Sequence, residues 1–318
     1  MLKENKPAVQ EQFKTSIGGQ AIIEGILMRG PKKQSIVVRS KDGLVTKVED
    51  LKLSKDRCAI LGWPLIRGIV NFGASMVNGV KALMYSAEFY PDEEESEPSR
   101  FEKWVENRFG SKTLEQLVIY FSVALGIAFS IFLFIFLPTL ISGLFNGLIN
   151  SYLIRNLIEG LIRILIFLGY LIGVSQMKDM KRVFSYHGAE HKTIRCYEAK
   201  LELTVENVRK QTRMHPRCGT SFLFLVVIIS ILFFALIRVE HMLLRLALRL
   251  ILLPVVVSVS YEITRYVGRH DNWFTKILTA PGLWFQNFTT LEPDDSMIEV
   301  AIAAVKLVIP EEEGQDLW

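Results

Sequence analysis

The sequence predicts a mainly α-helical polytopic membrane protein with about four transmembrane helices and a small β-containing cytoplasmic segment at its N-terminus. Three observations carry this expectation. Half of the 318 residues are hydrophobic, and the mean hydropathy is +0.28, more apolar than a soluble chain of this length usually is. Four stretches offer the roughly 20 apolar residues that a helix needs to cross a bilayer. The basic residues between those stretches gather on one side.

Residues 1–62 read as a cytoplasmic N-terminal segment. The opening MLKENKPAVQEQFK is polar, and no apolar run of the kind found in a secretory signal follows it. GGQAIIEGILMRGP (18–31) alternates poorly and is bounded by glycines and Pro31. After it, SIVVRSKDGLVTKVEDL forms two β-rich runs joined at Asp42-Gly43, a hairpin signal. Residues 63–116 read as interfacial or re-entrant helices and a linker. From Trp63 to Phe89 the chain is apolar but broken by Gly, Asn, Arg67 and Lys81. That composition suits a pair of helices at the membrane surface, and an ordinary core helix of a small cytoplasmic domain stands as the alternative. DEEESEPS (92–99) is a solvated acidic linker.

Residues 117–263 form the transmembrane region. The first span, Leu117 to Leu137, has no charge. The second runs from about Leu157 to Val174, with Glu159 and Arg163 near its start. The third covers about Gly219 to Ile237. The fourth covers about Met242 to Ile263, with Arg245 and Arg249 near its start and a kinking Pro254 inside. Between the second and third lies a basic loop, 175–217, with ten Lys and Arg residues, whereas 138–156 has only Arg155. The positive-inside rule therefore places this loop and both termini on the cytoplasmic side of the cell membrane. Arg245 and Arg249 then fall in the outer leaflet at the depth of Glu159. They either pair with that carboxylate or extend to the headgroups.

Cys58, Cys196 and Cys218 make no disulfide framework, and three thiols facing a cytosol are expected to stay reduced. A net charge of +4 is too small to argue for nucleic acid. The expected partner is the lipid bilayer with its anionic headgroups, and other membrane proteins are a further possibility. Residues 264–318 read as a cytoplasmic or interfacial C-terminal segment. There Ser296 and Glu299 form a capping box for a helix from Met297 to Ile309, and Trp284 and Phe285 offer headgroup-level anchors.

The residues that carry chemistry cluster in the basic loop. His187-Gly-Ala-Glu190-His191 matches H-x-x-E-H, the inverted zinc-peptidase pattern. On a helix, residues four apart share a face, so both imidazoles can bind one Zn²⁺ or similar divalent ion while Glu190 activates its water as catalytic base. Glu262, about seventy residues downstream, is a candidate third ligand. His215-Pro-Arg-Cys218 has H-x-x-C metal-ligand spacing, and with the two HGAEH histidines it would complete a closed N/S shell instead. The spacing leaves an open catalytic site, a closed structural one, or ordinary hydrogen-bonded side chains all in play. A second polar cluster is Glu262, Arg265, Arg269, His270, Asp271 and Asn272. It suits a charge network that fixes helix positions, or a site for an anionic headgroup or phosphate.

GGQAIIEGILMRGP (18–31), YHGAEHKTIRCYE (186–198), HPRCGTSFLF (215–224), GRHDN (268–272) and APGLWFQNFTTLEPDD (280–295) together resemble the YqhQ-like family. These are bacterial membrane proteins with plastid relatives, often labelled metal-dependent enzymes. The resemblance implies a polytopic membrane protein and draws attention to Glu24, Arg29, His187, Glu190, His191, His215, Cys218, Arg269, Asp271 and Asn272. It implies no substrate.

Two functions follow as expectations. One is a metal-dependent hydrolase at the cytoplasmic membrane face, with Glu190 as base, His187 and His191 as ligands, and Glu262 or His215 completing the shell. The other is a non-catalytic scaffold or assembly factor for membrane proteins, with a structural metal or none. An open cleft at HGAEH would favour the first, and burial under the N-terminal segment the second. A transporter has less behind it, because the spans show neither paired broken helices nor a repeat.

Overall fold

The computed structural model describes residues 13–51, 58–90, 111–144, 149, 151–239, 241–312 and 314–317, with the side chains of 111–116 left aside. The acidic stretch 92–99 lies outside the described residues. The chain divides into two compact units. One comprises Met1–Tyr90, Val174–Leu225 and Val257–Trp318; the other comprises Pro91–Gly173 and Val226–Val256.

The first unit holds an antiparallel meander of four strands, β1 (Gly18–Ile22), β2 (Gly25–Arg29), β3 (Lys33–Ser40) and β4 (Gly43–Asp50), in that order. The hairpin expected at Asp42-Gly43 is present: Ser40 pairs with Gly43, and Gly43 takes a φ of 125° that favours glycine. β1 and β2 join through Ile23 and Glu24, with Glu24 at φ 49°. Gly25 is needed where it stands, since a Cβ there would meet the Val37 carbonyl at 2.4 Å. The poor alternation of 18–31 has a simple cause. β2 and β3 are covered on both faces, so successive residues are buried alike. Ile26, Met28 and Val37 pack into one cluster with Tyr186, Ala189, Ile298 and Ala301. Leu27, Ile36 and Val38 pack with Ala82 on the other side. β4 is the exposed edge, with Lys47, Glu49 and Asp50 along it.

The sequence suggested two helices between Trp63 and Phe89; there is one, α1 (Ile66–Ala87). It is amphipathic in an unexpected sense. Ile69, Met76, Val77, Leu83 and Met84 are exposed, while Arg67, Asn71, Ser75 and Asn78 line a cavity inside the unit. These two sets recur at helical spacing on opposite faces. Gly68 lets α1 approach closely, because a Cβ there would lie 2.8 Å from the Ser258 backbone.

Much of the basic loop is helical. Lys178–Glu198 is a 21-residue helix, α5, and Val205–Arg209 is a short helix, α6. α5 is buried almost continuously from Gly188 to Cys196, beneath β1 and the C-terminal helix α10 (Asp295–Lys306). The cap of α10 is Asp294 rather than Ser296: its carboxylate accepts from Met297 N–H at 2.9 Å, and a charge there also suits the helix dipole. Ser296 only donates to Asp294, and Glu299 pairs with Arg39. Ahead of it, α9 (Trp273–Thr289) is capped by Asn272, in a reciprocal box with Thr275. Trp284 is exposed, as an anchor would be, but Phe285 is a core residue packed on Phe224.

The second unit is built from apolar helices. α2 (Ser111–Ile131) continues through a π turn (Phe132–Phe136) into α3 (Leu137–Gly143), and α4 spans Tyr152–Gln176. α7 (Gly219–Ala235) and α8 (Met242–Arg269) contribute to both units. Among the described residues, three helices are long and apolar enough to cross a membrane: Leu117–Gly143, Tyr152–Gln176 and Met242–Arg269. The expected third span, α7, is apolar but only 17 residues long. It opens at Gly219, where the sequence put its start, and ends at Ala235, two residues short of Ile237.

Inside this apolar unit Glu159 accepts from Arg249, of which only one bond, from Nη2, is at 2.9 Å, and from Arg163 at 3.2 Å. Thr139 and Ser142 donate to the same carboxylate at 3.1 and 3.2 Å. Of the two pairings expected for Glu159, Arg249 is the one formed. Arg163 also reaches the Phe134 carbonyl at 2.8 Å, within the π turn.

Candidate metal centre

α5 puts His187 and His191 on one face, as four-residue spacing requires. Gly188 between them is demanded by packing: a Cβ there would lie 2.0 Å from the Leu291 carbonyl. Leu291 N–H also donates to the Phe184 carbonyl at 2.9 Å, so the helix lies directly on that strand-like segment.

Both imidazoles are fixed by backbone carbonyls. His187 Nδ1 is 2.8 Å from the Thr289 oxygen, and His191 Nδ1 is 2.6 Å from the Arg213 oxygen. A carbonyl only accepts, so each Nδ1 carries a proton and each Nε2 turns to the centre, where an ion would displace any proton it holds. Those nitrogens meet a sulfur. His187 Nε2 is 3.2 Å from Cys218 Sγ, and the ligand atoms of His187, His191 and Cys218 all lie within 4.8 Å of one another. Two imidazole nitrogens and a thiolate are a donor set suited to Zn²⁺, and three ligands leave a tetrahedral ion one open position.

Glu190 stands beside this triangle. Gly19 N–H donates to its Oε1 at 2.9 Å, while Oε2 is 3.9 Å from the Nε2 of both histidines. The carboxylate therefore has one committed oxygen and one facing the centre. Burial alone would push the Cys218 thiol up, but His187 and His191 beside it hold it well below its usual range. For His187, burial opposes charge; the Cys218 sulfur and Glu190 override it and raise the imidazole to about 9. These neighbours favour the thiolate, the form in which the sulfur would bind a metal.

The other sequence candidates divide. His215 lines the same cavity and its ring lies beside that of His191, with centroids 5.4 Å apart, but it sits outside the three-donor group. Its Nε2 faces Glu198 at 3.5 Å, and burial drives its pKa down to about 4 despite that carboxylate. Glu262 is not brought to the centre. It forms a fork with Arg67 on α1, with Arg67 Nε at 2.7 Å. Glu24 is buried against Arg182 and Tyr186, with Tyr186 Oη at 3.1 Å. Asp271 faces Lys276 on the surface at 3.6 Å, and Asn272 caps α9. His270 stacks on Tyr266. Arg29, Arg265 and Arg269 line the cavity.

Sequence reasoning missed the supports. Gln286, fully buried, clamps both backbone groups of His215, at 2.8 and 2.7 Å. Arg195 donates to the Met214 carbonyl at 2.6 Å and Lys192 to that of Arg209 at 3.1 Å, fastening the loop that offers Arg213 to His191. Gln286 and Thr289, three apart in an apolar stretch, were the visible signal.

The centre opens on a cavity of about 710 Å³, within the range of small-molecule sites. His187, Glu190, His191 and Cys218 all line it, with β1 and β2, the inner face of α1 and the end of α8 as its other walls.

A protein of Bacillus subtilis (strain 168) described as "Uncharacterized protein YqhQ" is 35% identical to this chain over 295 residues, covering 90% of the chain and 89% of the relative. No solved structure matches the chain. The family described as "Protein of unknown function (DUF1385)" matches residues 63–311, which include the whole His–His–Cys centre, and the chain belongs to that family.

Proposed function

We propose that this chain is a metal-dependent hydrolase working at the cytoplasmic face of the cell membrane, with His187, His191 and Cys218 as ligands and Glu190 as base. The observation that carries the reading is the convergence of three ligand atoms within 4.8 Å beside Glu190, on the wall of an open cavity. Locked Nδ1–H groups are the outer support that metal-binding histidines use. A bound divalent ion would lower the pKa of its water to about 7 and polarise the bond to be cleaved. Glu190 Oε2 would take the proton as the water attacks, then return it to the leaving group. His215 and Glu198 belong behind the ligands rather than among them.

The membrane placement rests on the three long apolar helices, to which α7 adds a fourth, thinner crossing of about 25 Å. The basic stretch 175–217 then faces the cytoplasm. The exposed apolar face of α1 suits contact with lipid at that boundary.

Elemental analysis of purified, metal-replete protein tests the centre. The expected result is about one zinc per chain, lost in His187→Ala and Cys218→Ser, with chelation lowering the melting temperature of the wild type only. Wild-type protein that takes up no metal overturns it. The scaffold reading draws on the burial of Glu190 against Gly19 in the N-terminal segment. It requires an engaged centre with no need for a base.

A further inference from the structure

The cavity beside the centre is lined by five guanidinium groups, those of Arg29, Arg67, Arg217, Arg265 and Arg269, against a single carboxylate, Glu190. Among them, Arg67 is answered by Glu262 and Arg217 by Glu198, and Arg265 is not without a partner. The side chains of Arg29 and Arg269 have no hydrogen bond or ion pair among the described residues. Arg29 is half-buried at the end of β2, where a charge without a counterion is costly. Its partner in the ladder is Gln34, also in the cavity wall. The Gln34 amide donates to Glu49 at 2.8 Å, which leaves its buried Oε1 without a donor. The wall therefore presents excess positive charge in fork-shaped donors.

From this geometry we infer that the cavity binds a phosphate ester. Its phosphoryl oxygens meet Arg29 and Arg269, and its alcohol part occupies the rest of the cavity. Guanidinium forks match phosphate oxygens in pairs, and a cavity of about 710 Å³ is far larger than a phosphate ion alone needs. The proposal rests on the metal centre for its catalytic meaning, since it names the substrate class of that site. The same chemistry is offered by a free phosphate ester and by a phospholipid headgroup, and the apolar outer face of α1 bears on which one arrives.

The test is a titration of the full-length protein in detergent with inorganic phosphate, glycerol 3-phosphate, and short-chain phosphatidic acid against phosphatidylcholine, read by calorimetry. Glycerol 3-phosphate should bind more tightly than inorganic phosphate. Arg29→Gln and Arg269→Gln should each weaken it by about tenfold or more, the loss of a charged hydrogen bond, while exposed Lys210→Gln leaves it unchanged. Melting temperatures of both variants separate lost binding from lost folding, and Arg269, exposed at the mouth, supplies the second variant if Arg29→Gln does not fold. Phosphatidic acid binding well above glycerol 3-phosphate identifies a lipid substrate; equal binding identifies the free ester. His187→Ala should keep the anion while losing the metal, so failure of the metal reading leaves this one standing. No binding by any phosphate, or binding in both arginine variants equal to that of the wild type, overturns it.

Discussion

The backbone N–H of Gly19 donates to Oε1 of Glu190 at 2.9 Å across 171 residues of sequence. It thereby decides which oxygen of that carboxylate faces the two imidazoles. A Cβ at position 19 would meet the Leu27 carbonyl at 2.7 Å and Glu190 Cγ at 3.1 Å, so the contact depends on glycine. Glu190→Gln should keep the fold and the metal, because an amide oxygen still accepts from Gly19. It should abolish function, because an amide cannot take a proton from water. Metal stoichiometry, melting temperature and complementation of a deletion strain check this together. Normal complementation by Glu190→Gln with its metal retained would assign the centre a structural role.

Gly188→Ala should be among the most damaging small substitutions in the chain. The added methyl would lie 2.0 Å from the Leu291 carbonyl, and α5 must move to admit it, at a cost of roughly 3 kcal/mol. Gly73→Ala, with nothing within 4 Å, is the control and should be neutral or slightly stabilising. Melting curves of the two variants in detergent make the comparison; equal melting temperatures would remove the packing argument.

The approach of His187 to His191 was legible because four-residue spacing puts both on one helix face, whereas the H-x-x-C spacing did not bring His215 into the group that Cys218 joins. The carbonyls of Thr289 and Arg213 were not, since any residue type supplies a carbonyl. Glu262 looked like a ligand because its partner, Arg67, stands 195 residues away with no local sign of the pairing. The stretch from Trp63 to Phe89 was legible as helical and as apolar broken by polar residues, but not as a single helix, and which face turns inward depends on what surrounds it. Here a polar cavity inside the fold and an apolar exterior reverse the usual sense. The meander was legible at its Asp42-Gly43 turn and obscure at β2, where burial on both faces erases alternation.

Glu159 and Arg249 should behave as one unit in a double-mutant cycle. Glu159→Gln alone should cost about 2 kcal/mol or more, since it leaves two arginines uncompensated in an apolar setting. Adding Arg249→Gln should cost far less than its single effect. Unfolding free energies in detergent supply the four corners, and additive losses would dissolve the pair.

The orientation can be read with single cysteines in a background that lacks Cys58 and Cys196 but keeps the buried Cys218. A cysteine at Ser151 should react with an impermeant thiol reagent added outside intact cells. One at Lys200, in the basic region, should react only after the cells are opened. The reverse pattern would place the centre on the outer side.

The π turn at Phe132–Phe136 has a consequence for how this span can vary. A five-residue closure accommodates one residue more than an α-helical turn, so everything after it is rotated by about 100° from where an unbroken helix would put it. That rotation is what aims Thr139 and Ser142 at Glu159, and the turn itself is where the Phe134 carbonyl meets Arg163. Deleting one residue between 132 and 136 would close the wide turn into a plain α-helical one and leave both hydroxyls facing the carboxylate, whereas deleting Leu137 or Pro138 would swing both away by about 100°. The segment is therefore constrained unevenly: it can lose a residue at the wide turn, but not between that turn and Thr139.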